Sequence, residues 1–322
     1  TSDHIGYMTY SLNDAYNNDG NIGWIGTTGY DFDAWRTVDI IAKNVSETQL
    51  SSNVYTLVTG ENSPNFISFD GSNIWLSLYV SPGKIVKMDP ADPTNYITFN
   101  LSTGDNQPTS ICSGGGYIWS GLYTAAPHRI MKMFPNNGTY STYSLGTSNP
   151  GRITFANGSL WVCHDQLTTI LTKMDPSDGS YTQYTITGHH DCSGIVSDGE
   201  WLWMTGNNPP HGLLAKFHMG NNSYTVYGLT NSNAVSIWFD GSYLWIPTWQ
   251  TPSTLVRYIR ENNTYSTFVT FPLGFNNAYH ITSDNSTRIW VPFSVSPGRI
   301  ARVFTTNQTI HTEIYSAGEN NA

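Results

Sequence analysis

Two short segments gather most of the reactive side chains in this sequence: Cys163-His164-Asp165 and His189-His190-Asp191-Cys192. Thiols, imidazoles and carboxylates at this density support three kinds of chemistry. Cys163 and Cys192 can join as a disulfide, which the separation of their Cα atoms decides. His164, with His189 or His190 and an aspartate, can hold a divalent cation such as magnesium or zinc, although the spacing matches no established ligand pattern. Alternatively, His164, Asp165, His189, His190 and Asp191 are ordinary polar loop residues bonded to nearby backbone. All three readings stand at this level. Cys112, in an apolar stretch, is expected to be a buried free thiol, and His128 and His211, each after a proline, to be exposed loop residues. No nucleophile elbow and no phosphate-binding glycine loop is present, so no catalytic residue is assigned.

What positions these residues is a repeat. A turn built on Asp-Gly or its equivalent, then an aliphatic residue and a tryptophan, recurs at Trp24, Trp75, Trp119, Trp161, Trp203, Trp245 and Trp290, with spacings of 51, 44, 42, 42, 42 and 45. Units of this length that can bury their faces only against neighbours predict an all-β, seven-bladed β-propeller with four-stranded antiparallel blades. In the Trp161 unit the punctuation predicts strand a over 151–155, b over 160–164, c over 170–174 and d over 181–186, with Asn157-Gly158 supplying the positive φ of the a–b hairpin. Strand b of one blade ends on the face where strand a of the next begins, which brings the two reactive segments together near the central funnel. The tryptophans read as packing between blades. The whole chain reads as one domain, 1–322, with a terminal strand over 1–12 and seven repeats over 13–322.

Segments such as Lys84-Ile85-Val86-Lys87-Met88-Asp89-Pro90 and Ile170-Leu171-Thr172-Lys173-Met174-Asp175-Pro176 resemble repeats of the virginiamycin B lyase (streptogramin lyase) family. That resemblance implies a seven-bladed propeller and, in the lyases themselves, magnesium with His and Glu near the axis. Glu would fall three residues after the tryptophan, where this chain has Thr27, Leu78, Leu122, His164, Gly206, Thr248 and Phe293. His would fall two residues before the strand-a aliphatic, where it has Asn65, Thr109, Gly151, Ser193, Val235 and Tyr279. The blade pattern is present without the lyase catalytic set.

Composition narrows the function classes. In 322 residues, 14 Lys+Arg face 23 Asp+Glu, a net charge of −9, and only 11% of residues are charged. Phosphate neutralisation needs a basic face, so no nucleic-acid partner is expected. No apolar run is long enough to span a membrane. The chain opens at Thr1 without a leader, which reads as a mature secreted protein at the cell surface or outside it. Sequons at Asn44, Asn100, Asn137, Asn157, Asn221, Asn262, Asn285 and Asn307 fit that compartment. All but Asn100 fall in a–b or c–d turns, which share one face. Counting outer strands leaves one over, because His4–Leu12, with Ile5, Tyr7, Met8, Tyr10 and Leu12, reads as an eighth for seven slots. A spare strand can seal the ring or pair with another copy of the chain. The expected function is a non-enzymatic, glycosylated extracellular subunit, structural or adhesive, polymerising with copies of itself. Two alternatives are a lyase-like enzyme using His164, His189 and His190 at the funnel, and a carbohydrate-binding propeller with Tyr123, Trp249 or Tyr279 as platforms.

Overall fold

The computed structural model describes residues 57, 61 and 63–314, apart from 93, 125, 147–148, 209–210, 230–232, 284–287, 294–298 and 306–309. All of these belong to one compact unit that begins at Leu57. The expected terminal strand of 1–12 and the Trp24 unit lie outside the described residues.

Six four-stranded antiparallel sheets form, each with its strands in sequence order, over 64–100, 108–144, 150–186, 194–229, 238–270 and 282–314. No helix occurs among the described residues. The architecture is an all-β propeller, with six blades among the described residues rather than the seven expected. The inner segments of the first and last blades already meet: the rings of Phe66 and His280 are 5.8 Å apart, and residues of all six inner strands border one axial cavity. Each blade is named below by its tryptophan. The Trp161 blade follows the expected pattern closely, with strands Pro150–Ala156, Ser159–His164, Thr169–Met174 and Tyr181–Ile186.

The a–b turn explains the motif. Asp70 Oδ1 accepts the backbone N–H groups of Ser72 and Asn73, at 2.8 and 2.7 Å, while Oδ2 accepts the indole N–H of Trp75 at 2.7 Å. Asp198 and Asp240 hold Trp203 and Trp245 in the same way, at 2.8 and 2.7 Å. One carboxylate thus caps the turn and satisfies the only polar atom of a buried tryptophan, a group that is costly to leave unpaired. Burial pushes the Asp198 carboxyl up, but hydrogen bonds from Trp203, Trp201, Arg260 and Glu200 outweigh it and hold the group below the usual carboxylate range. Where the aspartate is absent, backbone replaces it: Trp119 donates to Gly114 O at 3.0 Å and Trp161 to Ala156 O at 3.3 Å.

Opposite each tryptophan, on strand c, stands a cation: Lys87, Lys132, Lys173, Lys216, Arg257 and Arg302. Five of these six lie 5.2–5.5 Å from the centroid of the partner tryptophan, and Arg257 instead covers Tyr243 and Phe268, at 5.0 and 5.2 Å. Such contacts contribute about 0.5–2 kcal/mol each. Lys87 and Lys132 also reach the next blade, donating to Pro135 O and Pro176 O at 3.1 and 2.6 Å. The repeat therefore fixes packing within a blade and contact between blades with the same residues.

Candidate functional site

The end of the Trp161 blade's second strand and the segment leading into the Trp203 blade meet as expected. Cys163 and Cys192 are joined by a disulfide, with Cα atoms 6.1 Å apart, inside the ordinary range. It links adjacent blades and is buried in the core formed by Trp161, Leu171, Leu202 and Met204. Cys112 is a free thiol as expected, partly buried, and desolvation pushes it up to about 12.

Two of the histidines around the disulfide have partners on both ring nitrogens. His164 is buried, with Nδ1 2.9 Å from Asn149 O and Nε2 2.7 Å from Thr172 Oγ1. A carbonyl can only accept, so Nδ1 carries the proton and Nε2 accepts from the threonine hydroxyl. His189 is the mirror case, with Nε2 donating to Met204 O at 3.2 Å and Nδ1 accepting from Thr169 Oγ1 at 2.8 Å. Burial, with a smaller push from His190, lowers the His189 pKa to about 4, so it is neutral at pH 7. His190 donates Nδ1–H to Leu167 O. Gly206 leaves room for this corner, since a Cβ there would run into His190 O and the His189 ring. Asp165 is exposed, Asp191 is partly buried at a φ of 45°, and neither forms an ion pair with these histidines. The acceptor nitrogens of His164 and His189 are engaged by threonine hydroxyls, and no metal-binding group of three or more His, Cys, Asp or Glu occurs among the described residues. The disulfide is formed, and His164 and His189 are hydrogen-bonded beside it.

The lyase positions are occupied by structure. Leu78, Leu122, His164, Thr248 and Phe293, three residues after their tryptophans, are all buried; Thr27 lies outside the described residues. The positions before strand a tie blade to blade instead. Asn65 Nδ2 donates to Thr109 O at 3.3 Å, Thr109 Oγ1 to Pro150 O at 2.8 Å and Ser193 Oγ to Ala234 O at 2.5 Å.

Five sequon asparagines are described, Asn100, Asn137, Asn157, Asn221 and Asn262, and all are exposed; Asn44, Asn285 and Asn307 lie outside the described residues. Asn137, Asn221 and Asn262 occupy equivalent c–d turns, where each Oδ1 accepts the N–H and hydroxyl of the residue two positions on. Their Nδ2 atoms are left uncommitted. Asn157 differs, because its Nδ2 donates to Gly199 O of the next blade at 3.0 Å.

The opposite face, formed by the b–c and d–a connections, carries exposed Tyr79, Tyr123, Leu167, Leu273 and Tyr279. Trp249 stands edge-on to Tyr279 at 6.3 Å. Tyr79 and Tyr279 flank a recess of about 350 Å³ with Ser63 and Asn65. His128 is partly buried against Tyr123, at 5.7 Å, not an exposed loop residue. His211 is exposed but opens the strand His211–His218.

Sequence reasoning overlooked the residues that line the axis. Phe66, Ser110, Arg152, Gly194, Ser236 and His280 border a cavity of about 240 Å³. Each immediately precedes the repeated isoleucine of its unit, so aligning the units on that isoleucine would have displayed them as one variable ring.

No family model matches this chain, and no curated protein does, the lyases included. Solved structures match at the level of fold. An extracellular domain from B. thetaiotaomicron, of the two-component system BT3049, aligns with a TM-score of 0.60 at 16% identity over 83% of this chain, which spans 37% of that protein. The PQQ-bound aldose sugar dehydrogenase of Streptomyces coelicolor aligns with a TM-score of 0.53 at 14% identity over 81% of this chain and 98% of that one. The Cps50 (Swd1) β-propeller domain of Myceliophteria thermophila gives 0.63 at 9% identity over 84% and 91%. At such identities the likeness is one of fold alone.

Proposed function

We propose that this chain is a secreted glycoprotein that works as a structural or adhesive subunit outside the cell, without catalysis of its own. The observation that carries the reading is the fate of the one cluster equipped for chemistry. Its cysteines staple two blades, and its buried histidines hold backbone and threonine groups. A disulfide between blades suits an oxidising compartment, and an extracellular domain is among the fold neighbours. Among the described residues no helix is long and apolar enough to cross a membrane.

The two faces support a division of labour. Glycans at Asn137, Asn221 and Asn262 would coat the turns of one face, while the other presents Leu167, Leu273 and three tyrosines for contact. The segment His4–Leu12, read from its sequence as a strand, would join copies by strand addition. The test is the particle mass of the secreted protein beside a version lacking residues 1–12, with electron microscopy of large species. Long regular assemblies from the full chain alone support the reading, and monomers of equal thermal stability from both overturn it.

A second reading, carbohydrate binding, is favoured by the recess between Tyr79 and Tyr279 with Trp249 alongside. Aromatic faces over polar groups suit sugar rings. Failure to retain any glycan on an array removes it.

A further inference from the structure

On the axial ring a cation, Arg152, and a buried hydroxyl without a partner among the described residues, Ser110, border one cavity. Arg152 projects from the inner strand of the Trp161 blade, and its guanidinium carbon lies 4.5 Å from the centroid of Phe66, a residue of the Trp75 blade. Its Nε donates to Ser193 O at 2.9 Å, and Nη1 makes a long contact of 3.4 Å with Gly151 O. Both acceptors are backbone carbonyls. No carboxylate pairs with Arg152 among the described residues; Asp165 and Tyr279 act on it only through their fields, partly offsetting the effect of burial. His280, in the same ring, is lowered to about 4 by burial and by Arg152, so it adds no charge at pH 7.

Ser110 is the second, independent observation. It is 3% exposed and borders the cavity, and its Oγ has no partner among the described residues. A buried hydroxyl without a partner costs about 1–3 kcal/mol unless something bonds it. Ser236 and Gly194 border the cavity as well.

We infer that this cavity binds a small monocarboxylate, its oxygens meeting Arg152 and the Ser110 hydroxyl and its short apolar body meeting Phe66, Ile111 and Ile153. A planar guanidinium matches a carboxylate with paired N–H···O bonds. One cation neutralises one charge, and a doubly charged phosphate would keep a net charge in the partly enclosed cavity, which is unfavourable. The volume, about 240 Å³, accommodates an acid of a few carbon atoms.

The experiment is calorimetric titration of the full chain with sodium butyrate and, separately, with inorganic phosphate. Saturable one-to-one binding of butyrate is expected, with a raised unfolding temperature. Arg152→Leu, checked by circular dichroism for an intact fold, is expected to weaken binding at least about tenfold, and Ser110→Ala several-fold. Absence of saturable butyrate binding in the millimolar range overturns the site, as does undiminished binding by folded Arg152→Leu. Saturation by phosphate in preference to butyrate overturns the ligand class. Should Arg152→Leu fail to fold, Ser110→Ala decides, and unchanged affinity there removes the proposal.

Discussion

Around the disulfide both ring nitrogens of His164 and His189 have partners, whereas on the axis, among the described residues, Ser110 Oγ has none and Arg152 donates only to backbone carbonyls. The first region holds the residue types usually associated with catalysis, and the second is a serine and an arginine among apolar neighbours. Reactive residue types mark a site only when their hydrogen-bonding capacity remains open. Where neighbours take it up, the same residues act as fasteners.

The sharpest way to break this comparison is to cut the fastener. Replacing Cys163 and Cys192 together by serine should cost about 3 kcal/mol, a fall of roughly 10 °C in the unfolding temperature for a unit of this size. Butyrate binding at the axis should persist in the folded protein. A loss below about 1 kcal/mol would mean that the disulfide does little to hold the two blades together.

Acid comes next. His189 and His280 have folded-state values of about 4 against 6.5 unperturbed, so as the pH falls from about 6.5 towards 4 the unfolded chain takes up their protons first and stability is lost. The loss is of order 3 kcal/mol per histidine by pH 4, read from urea midpoints across that range. His189→Gln should flatten the part that belongs to the disulfide region, and a profile identical to the parent would show that His189 is not buried neutral.

Single substitutions sharpen the contrast further. His189→Leu strands the Thr169 hydroxyl and Met204 carbonyl and should cost about 1–3 kcal/mol. Arg152→Leu removes a cation that lacks a carboxylate partner, which offsets the loss of its bond to Ser193 O and its contact with Phe66, and should cost less than His189→Leu. Denaturation curves showing the reverse order would refute the distinction.

The same contrast recurs in miniature at the turns. If the secreted protein is glycosylated, peptide mapping by mass spectrometry should find sugar on Asn137, Asn221 and Asn262, whose Nδ2 atoms are uncommitted, and none on Asn157, whose Nδ2 is bonded to Gly199 O. Asn157→Ala should cost about 1 kcal/mol, through that bond and a φ of 48° that alanine tolerates poorly.

The propeller could be read from the sequence because tryptophan, Asp-Gly and an aliphatic residue keep their spacing, and one physical demand, satisfying a buried indole beside a tight turn, dictates them together. The meeting of Cys163 and Cys192 was legible from topology, since the end of strand b and the start of the next strand a share a face. The blade number was not: the described residues form six blades where seven tryptophan units were counted, and the Trp24 unit lies outside them. Arg152 and Ser110 escaped notice as well. Each is an ordinary residue in its own strand, and their importance arises only when six strands converge on the axis.

The cations set against the tryptophans have a consequence for how the protein meets its medium. Lys87, Lys132, Lys173, Lys216, Arg257 and Arg302 are six of the 14 basic residues, and their charges face aromatic rings rather than carboxylates. Screening by dissolved ions acts mainly on exposed charges that are far apart. Close contacts between cation and ring, within packed sheets, are largely shielded from it. A fold fastened this way should keep its melting point almost unchanged from dilute buffer to brine.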